Sequence, residues 1–140
     1  MKKHRERKEV LLMTDEEIIR AFHCMWDGFP EPIMLIKKNR DIVAVNKKCA
    51  EFGMKVGTKC SSYGKPEQHK GCRANEAADT KQPICITYPG PFGKDAYGYW
   101  IPLPEKPEWM LHFSIGITME YEEAKNVTIT KDIVKDIANN

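Results

Sequence analysis

Two blocks of sheet-forming sequence, separated by a long stretch with almost none, constrain the fold of this chain more than any other feature. Ile33 to Lys37 and Asp41 to Asn46 are apolar, β-branched runs parted only by Lys38, Asn39 and Arg40, the pattern of a short hairpin. Beyond Pro83, three further runs are rich in Ile, Tyr, Trp, Phe and Thr: Ile84 to Tyr88, Ala96 to Leu103 and Trp109 to Thr118. The turns between these three, YPGPFGKD and PLPEKPEW, are dense in Pro and Gly. The intervening text has a helical segment, KKCAEFG, stopped by Gly53, and then a polar segment with a helical ending, CRANEAADT. Five antiparallel strands interrupted after the second by short helices make an α+β domain, with those helices covering one face of the sheet.

Before the first strand, Thr14 followed by Asp15, Glu16 and Glu17 reads as a capping box opening a helix. Ile18, Phe22, Met25 and Trp26 fall on one face of it, Gly28 ends it, and Pro30 with Pro32 imposes an extended lead-in. After the last strand, Ile129, Ile133, Val134 and Ile137 are spaced for a short amphipathic helix with Thr130 as its cap. The expected division is a basic tail and amphipathic helix over 1–27, the sheet domain over 28–118, and a tail with a short helix over 119–140.

With 140 residues, 41% hydrophobic, the chain is about one domain with a modest core. A net charge of +2, with basic residues dispersed apart from the opening MKKHRERK, gives no face suited to nucleic acid. Val10 to Met13 is too short for a signal-peptide core, and no run approaches the roughly 18 apolar residues of a membrane span. The expected location is cytoplasmic. GPFGK lacks the Gly-Lys-Ser/Thr ending of a phosphate loop.

Five cysteines without an export signal argue for reduced thiols or metal ligands rather than a disulfide framework. Cys24, Cys49 and Cys85 read as small buried hydrophobes. Cys60, His69 and Cys72 stand together in one loop-like segment and are the candidate metal ligands.

The succession PEPIMLIKKNRDIVAVNKKCAEF, then VGTKC, then the helix ending in TKQP, then WMLHFSIGIT resembles a PAS sensory domain over about residues 28 to 118. Ile36, Asn39, Ile42 and Asn46 fill the places of a phrase common in that family's first hairpin. The ending HFSIGIT is similar to its last strand, and GIT matches incompletely the Asp-Ile-Thr phrase that leads into a signalling helix. The flavin-binding Asn-Cys-Arg-Phe-Leu-Gln motif is missing, so a photochemical flavin adduct is not expected. The cysteine segment resembles a subset with a first Cys followed at a distance by Cys-x-x-Cys. Here His69 takes the place of the first Cys of that pair, giving Cys60-x8-His69-x2-Cys72.

The resemblance implies a role rather than a reaction: a small ligand held between sheet and helices, a signalling protein partner in trans, and a homodimer paired through the first helix. That helix could equally pack on its own sheet. Cys60, His69 and Cys72 could bind zinc, hold an iron–sulfur cluster, form a reversible Cys60–Cys72 disulfide, or do none of these, with the thiols packed under the sheet. A closed metal site wants a fourth ligand, Cys49 or Cys85, whereas a disulfide needs only α carbons within about 7 Å. Haem is a further option through His69 or His112. Tyr97, Tyr99 and His112 are the candidate cofactor contacts, with Tyr97, Tyr99 and Ile101 on one sheet face and Gly98 and Trp100 on the other. No nucleophile with a positioned base is recognisable, so catalysis is not expected. Two classes stay open: a sensory binding module, and a metal-, cluster- or haem-carrying redox protein on the same scaffold.

Overall fold

A computed structural model describes residues 12–140 of the chain. The basic opening run lies outside these residues. The first helix, α1 (Asp15–Trp26), begins where the sequence placed it. Thr14 Oγ1 accepts from the Glu17 amide at 3.1 Å and the Glu17 carboxylate accepts from the Thr14 amide at 3.0 Å, so two amides without helical partners are satisfied reciprocally. Its apolar stripe lies on the chain's own sheet: Phe22 is 3% exposed against Ile33, Leu35, Ala44 and Trp109. Met25, on the edge of the stripe, stays 67% exposed.

The strands are β1 (Ile33–Lys37), β2 (Ile42–Val45), β3 (Ile84–Pro89), β4 (Asp95–Leu103) and β5 (Lys106–Ile115), all antiparallel in the order β2-β1-β5-β4-β3. The β1–β2 turn closes through Arg40, a non-glycine residue at φ 80°. β2 is one residue shorter at each end than expected. Asp41 instead bridges Lys59, and Asn46 caps the next helix. β5 starts three residues earlier than Trp109 and stops three short of Thr118. The text PLPEKPEW is a tight turn at Pro104–Glu105 rather than a long loop, because a register break between Pro102 and Leu103 takes Pro107 out of the ladder.

Between β2 and β3 lie α2 (Lys47–Glu51), two 3-10 turns (Cys60–Ser62 and Pro66–His69) and α3 (Ala74–Thr80). Lys81, at φ 58°, ends α3 in the left-handed conformation. The C-terminal helix α4 (Lys131–Ala138) is capped by Thr130 as expected, and its Ile133, Val134 and Ile137 are exposed.

The sheet is covered on both faces. α1 takes one face, with Ile33, Leu35, Trp109, Leu111 and Phe113 beneath it. The cysteine segment and α3 take the other, over Ile36, Ile42, Trp100 and Met110. Ile33, Leu35, Ile36, Ile42 and Met110 are fully buried, worth about 1.5–3 kcal/mol each.

Two polar side chains are buried with them, Glu31 and Asn46. Asn46 Oδ1 accepts from the amides of Ile33 (3.0 Å) and Cys49 (2.9 Å), while its Nδ2 donates to the carbonyls of Trp26 (3.1 Å) and Glu31 (3.0 Å). One side chain thereby ties the end of α1, the start of β1 and the start of α2.

Candidate functional site: the cysteine face of the sheet

The register Gly98↔Ser114, Trp100↔His112 and Pro102↔Met110 aims Trp100, His112 and Met110 at the cysteine segment. Gly98 belongs there because a β carbon would sit 3.3 Å from both Ile86 and the Ser114 hydroxyl, inside the space where Tyr88 donates to Ser114 at 2.6 Å. Ala74, Ala77 and Ala78 give α3 an inner surface small enough to lie close on Trp100 and Met110. Cys60 is 8% exposed in this layer, and Cys72 packs against it half-buried.

The Trp100 indole stacks on the His112 imidazole, centroids 5.0 Å apart and planes 13° apart. His112 Nδ1 donates to the Tyr99 carbonyl at 3.0 Å, which leaves Nε2 as the acceptor of a neutral ring. Burial pushes the His112 pKa down and outweighs that hydrogen bond, with the charges of Arg40 and His69 adding to the effect. Trp100 is 4% exposed and its Nε1–H has no hydrogen-bond partner among the described residues. A buried donor left unpaired costs about 1–3 kcal/mol.

All five cysteines are free thiols. Burial pushes the Cys60 thiol up; the neighbouring Cys72 adds to this, while the Arg40 guanidinium and the amides of Cys60 and Ser61 oppose it. Arg40 is held over the segment by the Lys38 carbonyl and by Asn75 Oδ1 at 3.0 Å, and its own carbonyl accepts from the Cys60 amide at 2.9 Å. Two thiols, a cation and an imidazole thus meet on one face of the sheet.

The structure separates several residues that the sequence grouped. Tyr99 pairs with Phe113 and stacks on it at 5.0 Å, on the α1 face, and Tyr97 is on that same face with 40% exposure. Tyr97 and Tyr99 are therefore across the sheet from His112, because odd and even positions of β4 point oppositely. His69 Nε2 donates to the Tyr63 carbonyl. Among the described residues no group of three His, Cys, Asp or Glu side chains is placed to hold a metal, so Cys60, His69 and Cys72 do not come together as a ligand set. Neither expected fourth ligand joins them. Cys85 pairs with Tyr99 across the β3–β4 ladder, and Cys49 packs on Met54 at 3.2 Å. Burial pushes the Cys49 thiol up to about 11. Cys24 and Cys85, read as buried hydrophobes, are exposed.

The residues that sequence reasoning passed over as site residues are Trp100, given only a sheet face, and Arg40, given only a place between the first two strands. Alternation along β4 did place Trp100 opposite the tyrosines. The cross-segment hydrogen bond that recruits Arg40 leaves no trace in local spacing.

A five-stranded antiparallel sheet, broken after its second strand by short helices, is the architecture that the PAS resemblance implied. The chain has a PAS-like fold. No family model matches it, and no curated protein does. Among solved structures it is similar to the PAS domain of the histidine kinase ThkA, at 19% identity and TM-score 0.46, covering 59% of this chain and 94% of that one. It is similar to the PAS domain of BvgS from Bordetella pertussis, at 14% identity and TM-score 0.49, covering 87% and 95%. It is also similar to the PAS domain of an HTR-like protein from Haloarcula marismortui, at 16% and 0.40, covering 73% and 99%.

An apolar cavity of about 480 Å³ opens on the other face, between α1 and the β4–β5 turn, lined by Met13, Ala21, Met25, Leu103 and Leu111. Lys106, at its rim, pairs with Asp15 at 2.6 Å. The cysteine face is the candidate because free thiols, a stacked imidazole and an unpaired buried indole N–H converge there. Among the described residues no helix is long and apolar enough to cross a membrane.

Proposed function

We propose that this chain is a cytoplasmic, non-enzymatic sensory module that takes up a small ligand, or reads thiol state, at the face beneath α3 and signals by association with a partner protein as a homodimer. The observation that carries this reading is the Trp100 indole N–H, buried without an acceptor among the described residues and beside two free thiols. A ligand oxygen or nitrogen seated there would relieve the unpaired donor. The metal-carrying alternative has no donor set among the described residues.

The thiol branch of this reading uses hydrogen peroxide as oxidant. Cys72, the more exposed of the pair, is reached first: its thiolate attacks the peroxide, an S–O bond forms, the O–O bond breaks and water leaves after proton uptake. The Cys60 sulfur then displaces the sulfenic hydroxyl, closing the disulfide and releasing a second water, so that two thiols are oxidised for one peroxide reduced.

Native mass spectrometry of the purified protein and of Trp100→Phe tests the ligand branch. Thiol mapping and size-exclusion chromatography after hydrogen peroxide test the other. A bound molecule lost in Trp100→Phe, or a Cys60–Cys72 disulfide that changes the association state, supports the reading. No bound molecule in either protein, together with unaltered Cys60 and Cys72, overturns it.

A further inference from the structure

We propose that Glu31 latches the segment that leaves the sheet after β5 and, through Asn46, couples it to the end of α1. Glu31 sits between Pro30 and Pro32, is fully buried, and has no cation partner among the described residues. Its charge is answered by five donors from one short stretch: the amides of Gly116 (2.7 Å), Ile117 (3.0 Å) and Thr118 (2.8 Å), and the hydroxyls of Thr118 (2.9 Å) and Tyr121 (2.7 Å). Three successive amides can converge on one carboxylate because Gly116 adopts φ 85°, which turns the chain sharply at the end of β5.

The main chain of Glu31 is held by a different residue. Asn46 donates to its carbonyl and, with the same nitrogen, to the Trp26 carbonyl at the end of α1. The last turn of α1 and the segment after β5 are therefore linked by three hydrogen bonds in series through two residues, Asn46 and Glu31, although they lie far apart in sequence. The latch also has room to open. Tyr121 is 40% exposed, and a cavity of about 470 Å³ lined by Phe92, Tyr97, Ile115 and Tyr121 lies beside it. Lys94 holds the outer side of the same segment, through the Tyr121 carbonyl at 3.0 Å and Glu120 at 3.5 Å.

Calling this latch an output element rests on the sensory reading above, but the latch itself does not, and its test needs no ligand. Hydrogen exchange would be followed by NMR in the full chain and in Glu31→Gln, which keeps the shape but turns one acceptor into a donor facing donors. Amides of Gly116, Ile117 and Thr118 are expected to exchange at least about tenfold faster, the scale of one lost hydrogen bond to a charged group. Amides of Asp27 and Phe29 should speed up with them, and those of Leu35 and Leu111 in the ladder should not. Unchanged exchange at Gly116 to Thr118, or acceleration spread evenly over the ladder, overturns the latch; acceleration there without Asp27 and Phe29 overturns the coupling. Tyr121→Phe, which removes a single partly exposed donor, should produce a smaller change at the same amides. It decides the question if Glu31→Gln does not fold.

Discussion

Glu31 keeps its charge in a fully buried position by hydrogen bonds alone. Burial pushes its carboxyl pKa up, but the bonds from Tyr121, Thr118 and Gly116 outweigh it, and the group titrates below the ordinary glutamate range. Burial, with the bond to Glu31, pushes Tyr121 up to about 12, so its hydroxyl is protonated and can donate throughout the neutral range. A depressed folded pKa means stability that is present above the unfolded value of about 4.3 and lost as pH falls through the folded value. Urea titrations from pH 7 down to pH 3 should show Glu31→Gln less stable at neutral pH and with a shallower acid decline than the parent protein. Parallel declines would show that Glu31 contributes nothing to the acid limb. Asn46 was singled out in the sequence as the end of the second strand run, but β2 ends at Val45 and its role as helix cap and three-way tie was not legible. Glu31 was not legible either, since its hydrogen-bond donors lie far along the chain and two flanking prolines describe only a backbone path.

α1 shows how an element is specified at its ends and held by its middle. Thr14→Ala removes one side of the capping box and should cost about 1 kcal/mol. Phe22→Ala empties a position against Ile33, Leu35 and Trp109 and should cost about 3–5 kcal/mol. Chemical denaturation of the two variants checks the ratio; equal losses would mean that α1 is held by its cap and not by the sheet. The limits of α1, β1 and α4 were readable because caps, prolines and periodicity coincide at Thr14, Pro32 and Thr130. The start of β5 was not, because Pro104, Lys106 and Pro107 have the composition of a loop and only the register break at Pro102 makes room for them in a strand. The face assignments of β4 were half legible: alternation separated Trp100 from Tyr97 and Tyr99, but only pairing with β5 shows that His112 sides with Trp100. The metal reading of Cys60, His69 and Cys72 rested on proximity in sequence, and the Tyr63 carbonyl that engages His69 lies within the segment itself, six residues away.

At the scale of the whole molecule, the two blocks of sheet-forming text were legible from composition, whereas their arrangement was not: the sheet sets the first and last strands side by side in its interior. Ile33, where the chain comes into the sheet, stands directly opposite Phe113, close to where it departs. Antiparallel neighbours pulled from the same end separate by breaking their hydrogen bonds in succession, whereas strands pulled from opposite ends must break many together. Single-molecule pulling through Phe29 and Thr118 should therefore open the domain at lower force than pulling through Lys37 and Ile115, and equal forces would contradict this loading geometry. Tension between its two flanks meets the molecule as a zipper, and the first tooth it reaches is the junction of Glu31 and Asn46. Traction along the chain, with no change of chemistry at all, is thus concentrated on the contacts that hold α1 and the departing segment together.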